Sequence, residues 1–348
     1  MQFVPNNWKN VRYVKAFALE EITIVDDLLE MLAEVPYISG EEISRRLKVT
    51  RAAVWKRVQA LREQGFVIES AGKKGCHLVW PEDSLLPVFV KKGLDTKWAG
   101  QPPIIYSESM TSTNIVLKQA AENGAAHGTV ALCEEQTSGR GRRGRGWVSL
   151  KGQGLWVSLL MRPWIPPNRA QLITFAAALS MAEAVEKETG LSIQIKWPND
   201  LTLNGKKVCG ILLELSGDVE SIAYVVVGTG VNVGRNAYPP ELAGKAISLA
   251  DVLDHSVKRA PILRAYLAAM ERYMESLVRD GMSGILQAYE KRSCTLGRWV
   301  LVSGGGEDFS GVAAGLDESG ALLVKLEDGA IRRVLAGDVS VRGVMGYA

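Results

Sequence analysis

The chain has little sulfur and little histidine. Its four cysteines, Cys76, Cys133, Cys209 and Cys294, stand far apart, and the three histidines, His77, His127 and His255, do not join them. No CxxC pair or other metal-ligand spacing exists, so neither a metal cluster nor a disulfide framework is expected, and free thiols fit a reducing compartment. Long apolar runs are missing as well. The stretch MQFVPNNWKNVRYVKAFALE is polar throughout and lacks the apolar segment of a signal peptide. The most apolar helical run, residues 172–185, is broken by Thr174, Ser180 and Glu183 and is too short for a membrane span. A cytoplasmic protein with no membrane contact is expected. Nor is one sign of charge in excess: a net charge of +3 over 348 residues excludes a wholly basic polymer binder, so any anion binding has to be local. There is no internal repeat.

What remains is ordinary globular material, 47% hydrophobic, long enough for two or three domains. Residues 22–80 have one character. Ile24, Val25, Leu28, Leu29 and Leu32 recur at helical spacing. Ser39-Gly40-Glu41-Glu42 reads as a capping box opening a second helix, which runs to Leu47. After a turn at residues 48–50, residues 51–61 form a third helix with Val54, Val58 and Leu61 on its apolar stripe and Arg51, Lys56 and Arg57 off it. Residues 66–69 and 76–79 read as a hairpin with Lys73 and Lys74 at its tip. Helix, turn, basic helix and basic hairpin make a winged helix-turn-helix. Arg51, Lys56, Arg57, Lys73 and Lys74 are its candidate DNA contacts, the helix in the major groove and the wing on phosphate. Pro81 and Pro87 then mark a linker or domain-entry helix over residues 81–100.

From residue 104 the pattern becomes mixed α/β. Strands are expected near residues 104–106, 129–134, 155–161, 193–197, 208–215 and 222–227. Helices are expected over 113–123, 169–187 and much of 247–291. From Ser293 onward, four short strands separated by glycine and acidic turns suggest a small β-barrel.

The densest signal is SGRGRRGRGW at residues 138–147, in which four arginines and four glycines fill eight positions. The segment formally matches GxGxxG. A dinucleotide loop would open a helix and carry an acidic residue about 20 positions on; here Trp147-Val148-Ser149-Leu150 follows, and Leu159-Leu160-Met161 stands at that distance. No Gly-Lys-Ser/Thr closes it as a P-loop. It is too short, and too enclosed by apolar strands, for a disordered arginine-glycine tail. A lid over an anionic small molecule fits best: guanidinium forks grip carboxylate and phosphate, and glycines let backbone N–H groups approach. Other pieces point the same way, though each has a plain alternative. Ser112-Thr113-Asn114 stands at a helix start and alone is a cap. Lys196-Trp197-Pro198-Asn199-Asp200 gathers a cation, an amide and a carboxylate at a strand end and alone is a turn. Asn204-Gly205 is a hairpin turn. Lys207 enters an apolar strand and calls for an anionic partner. Gly228-Thr229-Gly230-Val231-Asn232 ends a buried strand with small residues that permit close backbone approach, or forms a tight turn.

STN, QTSGRGRRGRGW, KWPND, GKKVCGILLEL and GTGVN, in this order, closely resemble the biotin protein ligase family, and with the winged helix its bifunctional repressor form. The resemblance covers roughly residues 22–345. It implies an α+β chain with an N-terminal arm (1–21), a winged helix-turn-helix (22–80), a linker (81–100), a class II synthetase-like catalytic domain (101–292) and an SH3-like β-barrel (293–348). It implies ATP and Mg²⁺ as cofactors and biotin as substrate, with transfer of biotin to a lysine of a biotin carboxyl carrier protein. It further implies operator DNA as a partner and a homodimer when biotinyl-AMP is bound. By motif, Ser112, Thr113, Asn114, Gln136, Arg140, Gly141, Arg142 and Lys207 are implied to hold biotin, with Ile211, Leu212 and Leu213 as an apolar wall. Arg142, Arg143, Arg145, Trp147, Lys196, Asn199 and Asn232 are implied on the nucleotide side. Lys207, Arg142 and Asp200 are the implied catalytic set, with Asp200 as a candidate Mg²⁺ ligand. The loop departs from the family in carrying Gly146 before Trp147. Three alternatives stay open: a lipoate or octanoate ligase, a ligase with a vestigial winged helix, and a biotin-sensing repressor without ligase activity.

Overall fold

A computed structural model describes residues 27–63, 65–163, 165–218, 220–235, 238–303, 307–335 and 338–341. The expected N-terminal arm, the helix positions Ile24 and Val25, and the side chain of Lys73 lie outside the described residues.

The first unit holds α1 (Asp27–Glu34), α2 (Gly40–Leu47), α3 (Arg51–Glu63) and the antiparallel pair β1 (Ile68–Ser70) and β2 (Cys76–Leu78). Leu28, Leu29 and Leu32 close over Ile43, Val54, Val58, Leu61, Ile68 and Leu78, so the expected stripe of α3 is its buried side. The capping box is half formed. The Ser39 hydroxyl accepts the Glu42 N–H at 3.1 Å, but the Glu42 carboxylate turns outward to Arg45 and Arg46.

The segment expected as a linker is packed. Within it, α4 (Pro87–Lys91) offers Val88 and Phe89 to the first unit's core, while Leu85, Val90 and Ala99 join the central core. Polar anchors hold it on both sides. The Glu271 carboxylate accepts three backbone N–H groups, from Lys97, Trp98 and Ala99, at 2.9, 2.5 and 2.8 Å. Arg259 donates to Asp83 of the segment at 2.5 Å, to Glu134 at 2.6 Å and to the Gly154 carbonyl at 3.2 Å. The residues are more apolar than the two prolines suggest, and their burial makes this a domain-entry helix rather than a loose tether.

The central unit is a seven-stranded sheet in the order β3-β4-β5-β9-β8-β7-β6. Its strands are β3 (Ile105–Met110), β4 (Val130–Gln136), β5 (Gly154–Met161), β6 (Gln194–Lys196), β7 (Asp200–Leu203), β8 (Lys206–Gly217) and β9 (Ile222–Asn232). Only β3 and β4 run parallel. Alternation sorts the two faces. Leu159, Val225 and Val227 meet α6 (Gln171–Thr189) and α8 (Arg259–Asp280), whereas Leu160, Tyr224 and Val226 meet α5 (Thr113–Glu122). Helix α6 is apolar nearly all round because the sheet, α8 and α9 (Ser283–Arg292) enclose it; a short α7 (Leu249–Leu253) completes the set. One sequence reading changes here: strand β7 is not among the expected strands. Of the two readings of GTGVN, the strand end holds and the turn does not, since the segment closes β9. The Asn204-Gly205 turn forms as expected, with both residues at positive φ.

The last unit has five strands, one more than expected: β10 (Trp299–Ser303), β11 (Phe309–Leu316), β12 (Leu322–Lys325), β13 (Ile331–Val334) and β14 (Asp338–Val341). They pair antiparallel in the order β13-β12-β11-β10-β14. Val300, Val302, Ala313, Leu322 and Val324 merge into the central core. The buried Trp197 is bound at both ends, its N–H to Thr295 at 2.9 Å and its indole Nε1 to the Gly320 carbonyl at 3.0 Å. This contact ties the last unit to the central one. No described helix is long and apolar enough to cross a membrane.

Candidate active site

One cleft of about 550 Å³ opens over β8 and β9. Gly210 and Gly230 face each other across these strands. An added Cβ would lie 2.8 Å from the Trp147 ring at Gly210 and 2.6 Å from its Nε1 at Gly230. The pair therefore forms a flat seat for a ring, occupied by the Trp147 indole. Trp147, expected beside a nucleotide, lies on this floor, with the Lys207 ammonium 5.2 Å from its ring. Its Nε1–H is buried and finds no acceptor among the described residues. Such a group costs about 1–3 kcal/mol, which favours yielding the seat to a ligand.

One end of the cleft is uncharged and hydrogen-bonding. Ser112 begins α5 but its hydroxyl caps nothing; it is buried and lines the cleft. Gln136, at the end of β4, accepts from the Thr113 N–H at 3.0 Å and hydroxyl at 3.2 Å, and donates to Ser149 at 2.8 Å. Asn114 is a bracket. Its amide donates to Glu214 at 2.8 Å and its carbonyl accepts from Ser158 at 2.6 Å. Gly228 makes room for it, since a Cβ there would fall 2.1 Å from Asn114 Oδ1. Gly228→Ala is thus expected to break the bracket and cost about 1–3 kcal/mol of stability, as overpacking does. Urea unfolding checks this, and an unchanged midpoint would remove Asn114 from the framework.

The other end is cationic. Residues 139–147 close on themselves as a small hairpin: Gly141 N–H bonds to the Arg145 carbonyl at 2.7 Å, and Trp147 N–H to the Gly139 carbonyl at 2.9 Å. Arg142 reaches inward and donates to Asn199 Oδ1 at 3.0 Å. The Asn199 amide is fixed in turn to the Ile211 carbonyl at 2.6 Å. Burial holds the Arg142 guanidinium below its ordinary pKa, Arg143 and Arg145 add to this, and Asp200 and Asp338 oppose it. Lys207 finds its anionic partner in Asp200, at 2.5 Å. Lys196 stands opposite Asp200 on the neighbouring strand, buried. Burial lowers its pKa and Asp200 counteracts this. The hairpin's outward charge is balanced from the last unit, where Asp338 pairs with Arg145 and lies 3.6 Å from Arg143.

Of the residues singled out for ligand contact, Ser112, Thr113, Asn114, Gln136, Arg140, Gly141, Arg142, Arg145, Trp147, Lys196, Asn199, Asp200, Lys207, Ile211, Leu212 and Asn232 line this cleft. Arg143 and Leu213 do not. Arg143 is turned toward Asp338, and Leu213 packs against the central core. Ser149, Ser158 and Asp338 went unrecognised; they join the site only through contacts between distant segments. No group of three or more His, Cys, Asp or Glu that could hold a metal gathers among the described residues. The candidate DNA contacts Arg51, Lys56, Arg57 and Lys74 are exposed, with Arg51 paired to Glu41 at 2.6 Å.

Residues 105–232 match the biotin/lipoate A/B protein ligase family, residues 25–77 an HTH domain, and residues 295–342 the biotin protein ligase C-terminal domain. The chain is 32% identical over 323 residues to the bifunctional ligase/repressor BirA of Bacillus subtilis, covering 92% of this chain and 99% of that protein. The BirA of Escherichia coli is 30% identical over 328 residues, with 93% and 99% covered. Among solved structures, the biotin protein ligase of Aquifex aeolicus in complex with biotin and ATP superposes with a TM-score of 0.61 at 32% identity. That match covers 69% of this chain and 98% of the other.

Proposed function

The chain belongs to the biotin protein ligase family and carries the helix-turn-helix of its bifunctional ligase/repressor members, and on that premise we propose how its cleft works. A carboxylate oxygen of biotin attacks the α-phosphorus of ATP. The new O–P bond forms as the α–β anhydride bond breaks, and pyrophosphate leaves. A lysine amine of a biotin carboxyl carrier protein then attacks the acyl carbon, and AMP leaves with the C–O bond's electrons. The observation that carries this reading is the division of one cleft into an uncharged hydrogen-bonding end and a cationic end. A ureido head needs donors and acceptors at one end, and the meeting of a carboxylate with a polyphosphate needs cations at the other.

In this reading Ser112, Thr113 and Gln136 orient the head group, while Ile211 and Leu212 wall the chain. Arg140, Arg142 and Lys207 screen the two anions and hold them in line. Lys196, Asn199 and Asn232 face the nucleotide. The hairpin over the floor excludes water from the adenylate, a reactive mixed anhydride. The donor set does not suit a protein-held Mg²⁺. Asp200 is taken by Lys207 and Asp338 by Arg145, so the nucleotide itself would carry the ion. The winged helix would bind operator DNA when biotinyl-AMP is held, as one half of a homodimer.

Biotin-dependent ATP–pyrophosphate exchange tests the ligase reading, run beside lipoate and octanoate. Exchange specific to biotin is expected, because a dithiolane or alkyl chain offers no donor or acceptor to the buried Ser112 hydroxyl or to the Thr113–Gln136 pair. Exchange with lipoate alone would move the chain to the sister activity. No exchange from folded protein would leave a ligand-sensing repressor.

A further inference from the structure

Helix α3 rests on Val54, Val58 and Leu61. Its opposite side carries Arg51, Ala52, Lys56 and Arg57, all exposed. Among them stands Trp55, with 66% of its surface open to solvent. Arg45, Arg46 and Arg51 are paired with Glu42, Glu34 and Glu41, and Arg62 bonds the Ile68 carbonyl; Lys48, Lys56 and Arg57 stand exposed, and no acidic residue lies between Ile43 and Arg62. Thr50 caps the helix start, its hydroxyl accepting the Ala53 N–H at 3.2 Å. This surface therefore complements a polyanion, and yet its largest exposed side chain is apolar. Phosphate contacts explain the cations, since they supply affinity without sequence information. They do not explain an indole left in water.

The first two turns of a recognition helix are the part that reaches base edges. There thymine alone presents an apolar group, its C5-methyl, to the major groove. A planar indole of roughly 150–250 Å² covers such a methyl and sheds its own hydration. We propose that Trp55 is a specificity-determining residue of the winged helix, reading thymine methyl groups in the major groove, with the surrounding cations supplying sequence-independent affinity. This rests on the repressor reading above.

The full chain, loaded with biotin and ATP, would first select its tightest duplex from a randomised pool. Each thymine of that duplex is then replaced in turn by deoxyuridine, which removes only the methyl, and binding is followed by fluorescence anisotropy. Wild-type protein is expected to lose about four- to tenfold at one or two positions, the worth of a buried methyl or a little more. Trp55→Ala is expected to bind the parent duplex as weakly and to show no further loss on deoxyuridine. Its salt dependence should match wild type, whereas Lys56→Ala should flatten the slope by about 0.9, one phosphate contact. Trp55 is exposed, so the variant should keep its exchange activity, which controls for folding. A Trp55→Ala chain that binds the parent duplex like wild type, or stays sensitive to the missing methyl, overturns the proposal alone. A wild-type chain that selects no duplex overturns the repressor reading and the proposal together.

Discussion

Replacing Lys207 with alanine is expected to slow biotin-dependent ATP–pyrophosphate exchange by roughly a hundred- to a thousandfold, the loss that follows removal of one positioned charge-stabilising donor. Two effects add. The ammonium that would sit between carboxylate and α-phosphate is gone, and Asp200, now without the lysine at 2.5 Å, faces the cleft as a further negative charge. The second effect is separable. In the double variant Lys207→Ala/Asp200→Asn the stranded carboxylate is absent, so exchange should recover part of the loss while staying well below wild type. If Lys207→Ala exchanges near the wild-type rate, Lys207 has no part in the chemistry and the cation of the first step must come from Arg142 or Lys196.

Arg259→Met should unfold the protein about 3–5 kcal/mol more easily, the usual result of removing one partner from a buried ion group. The guanidinium is nearly inaccessible and serves Asp83, Glu134 and a backbone carbonyl at once. Methionine fills the volume but leaves the carboxylates of Asp83 and Glu134, the latter mostly buried, without their shared cation. Neutralising those as well, with Asp83→Asn and Glu134→Gln, should return most of the stability, because the cost lies in the unpaired charges. Urea denaturation of the single and triple variants measures both. Equal loss in the two would show that shape and not charge is at stake. Glu134 lies two residues before Gln136 on β4, so biotin affinity should fall with the single variant and recover with the triple.

Local chemistry was legible in the sequence. The α3 stripe, the Asn-Gly turn and the crowded arginines of residues 139–146 each follow from spacing or side-chain type within a few residues. Strand β7 was hidden because four residues after a proline carry too little alternation to register. At the end of β9 the sequence leaves close backbone approach and a tight turn both open, because its glycines answer to Trp147 and Asn114, side chains from other segments. Lys196 and Lys207 look alike in the sequence. The structure separates them by giving the carboxylate to one and burying the other. Asp338 was invisible for a simple reason: its partner Arg145 lies 193 residues away. Contacts of that span are decided by how the last sheet docks, through Trp197 and the shared core, and no local pattern records them.

The anchoring of residues 81–100 also bears on reach. A freely jointed chain of that length would have a root-mean-square span of roughly 25 Å, and would let each reading head search the duplex on its own. Here the Glu271 clamp, the Asp83–Arg259 pair and the buried Phe89 leave no slack. In a two-fold assembly the distance and the phase between the two reading heads are then properties of the folded body. Moving one half-site by about five base pairs turns it to the opposite side of the duplex, and a chain built this way has no spare length with which to follow.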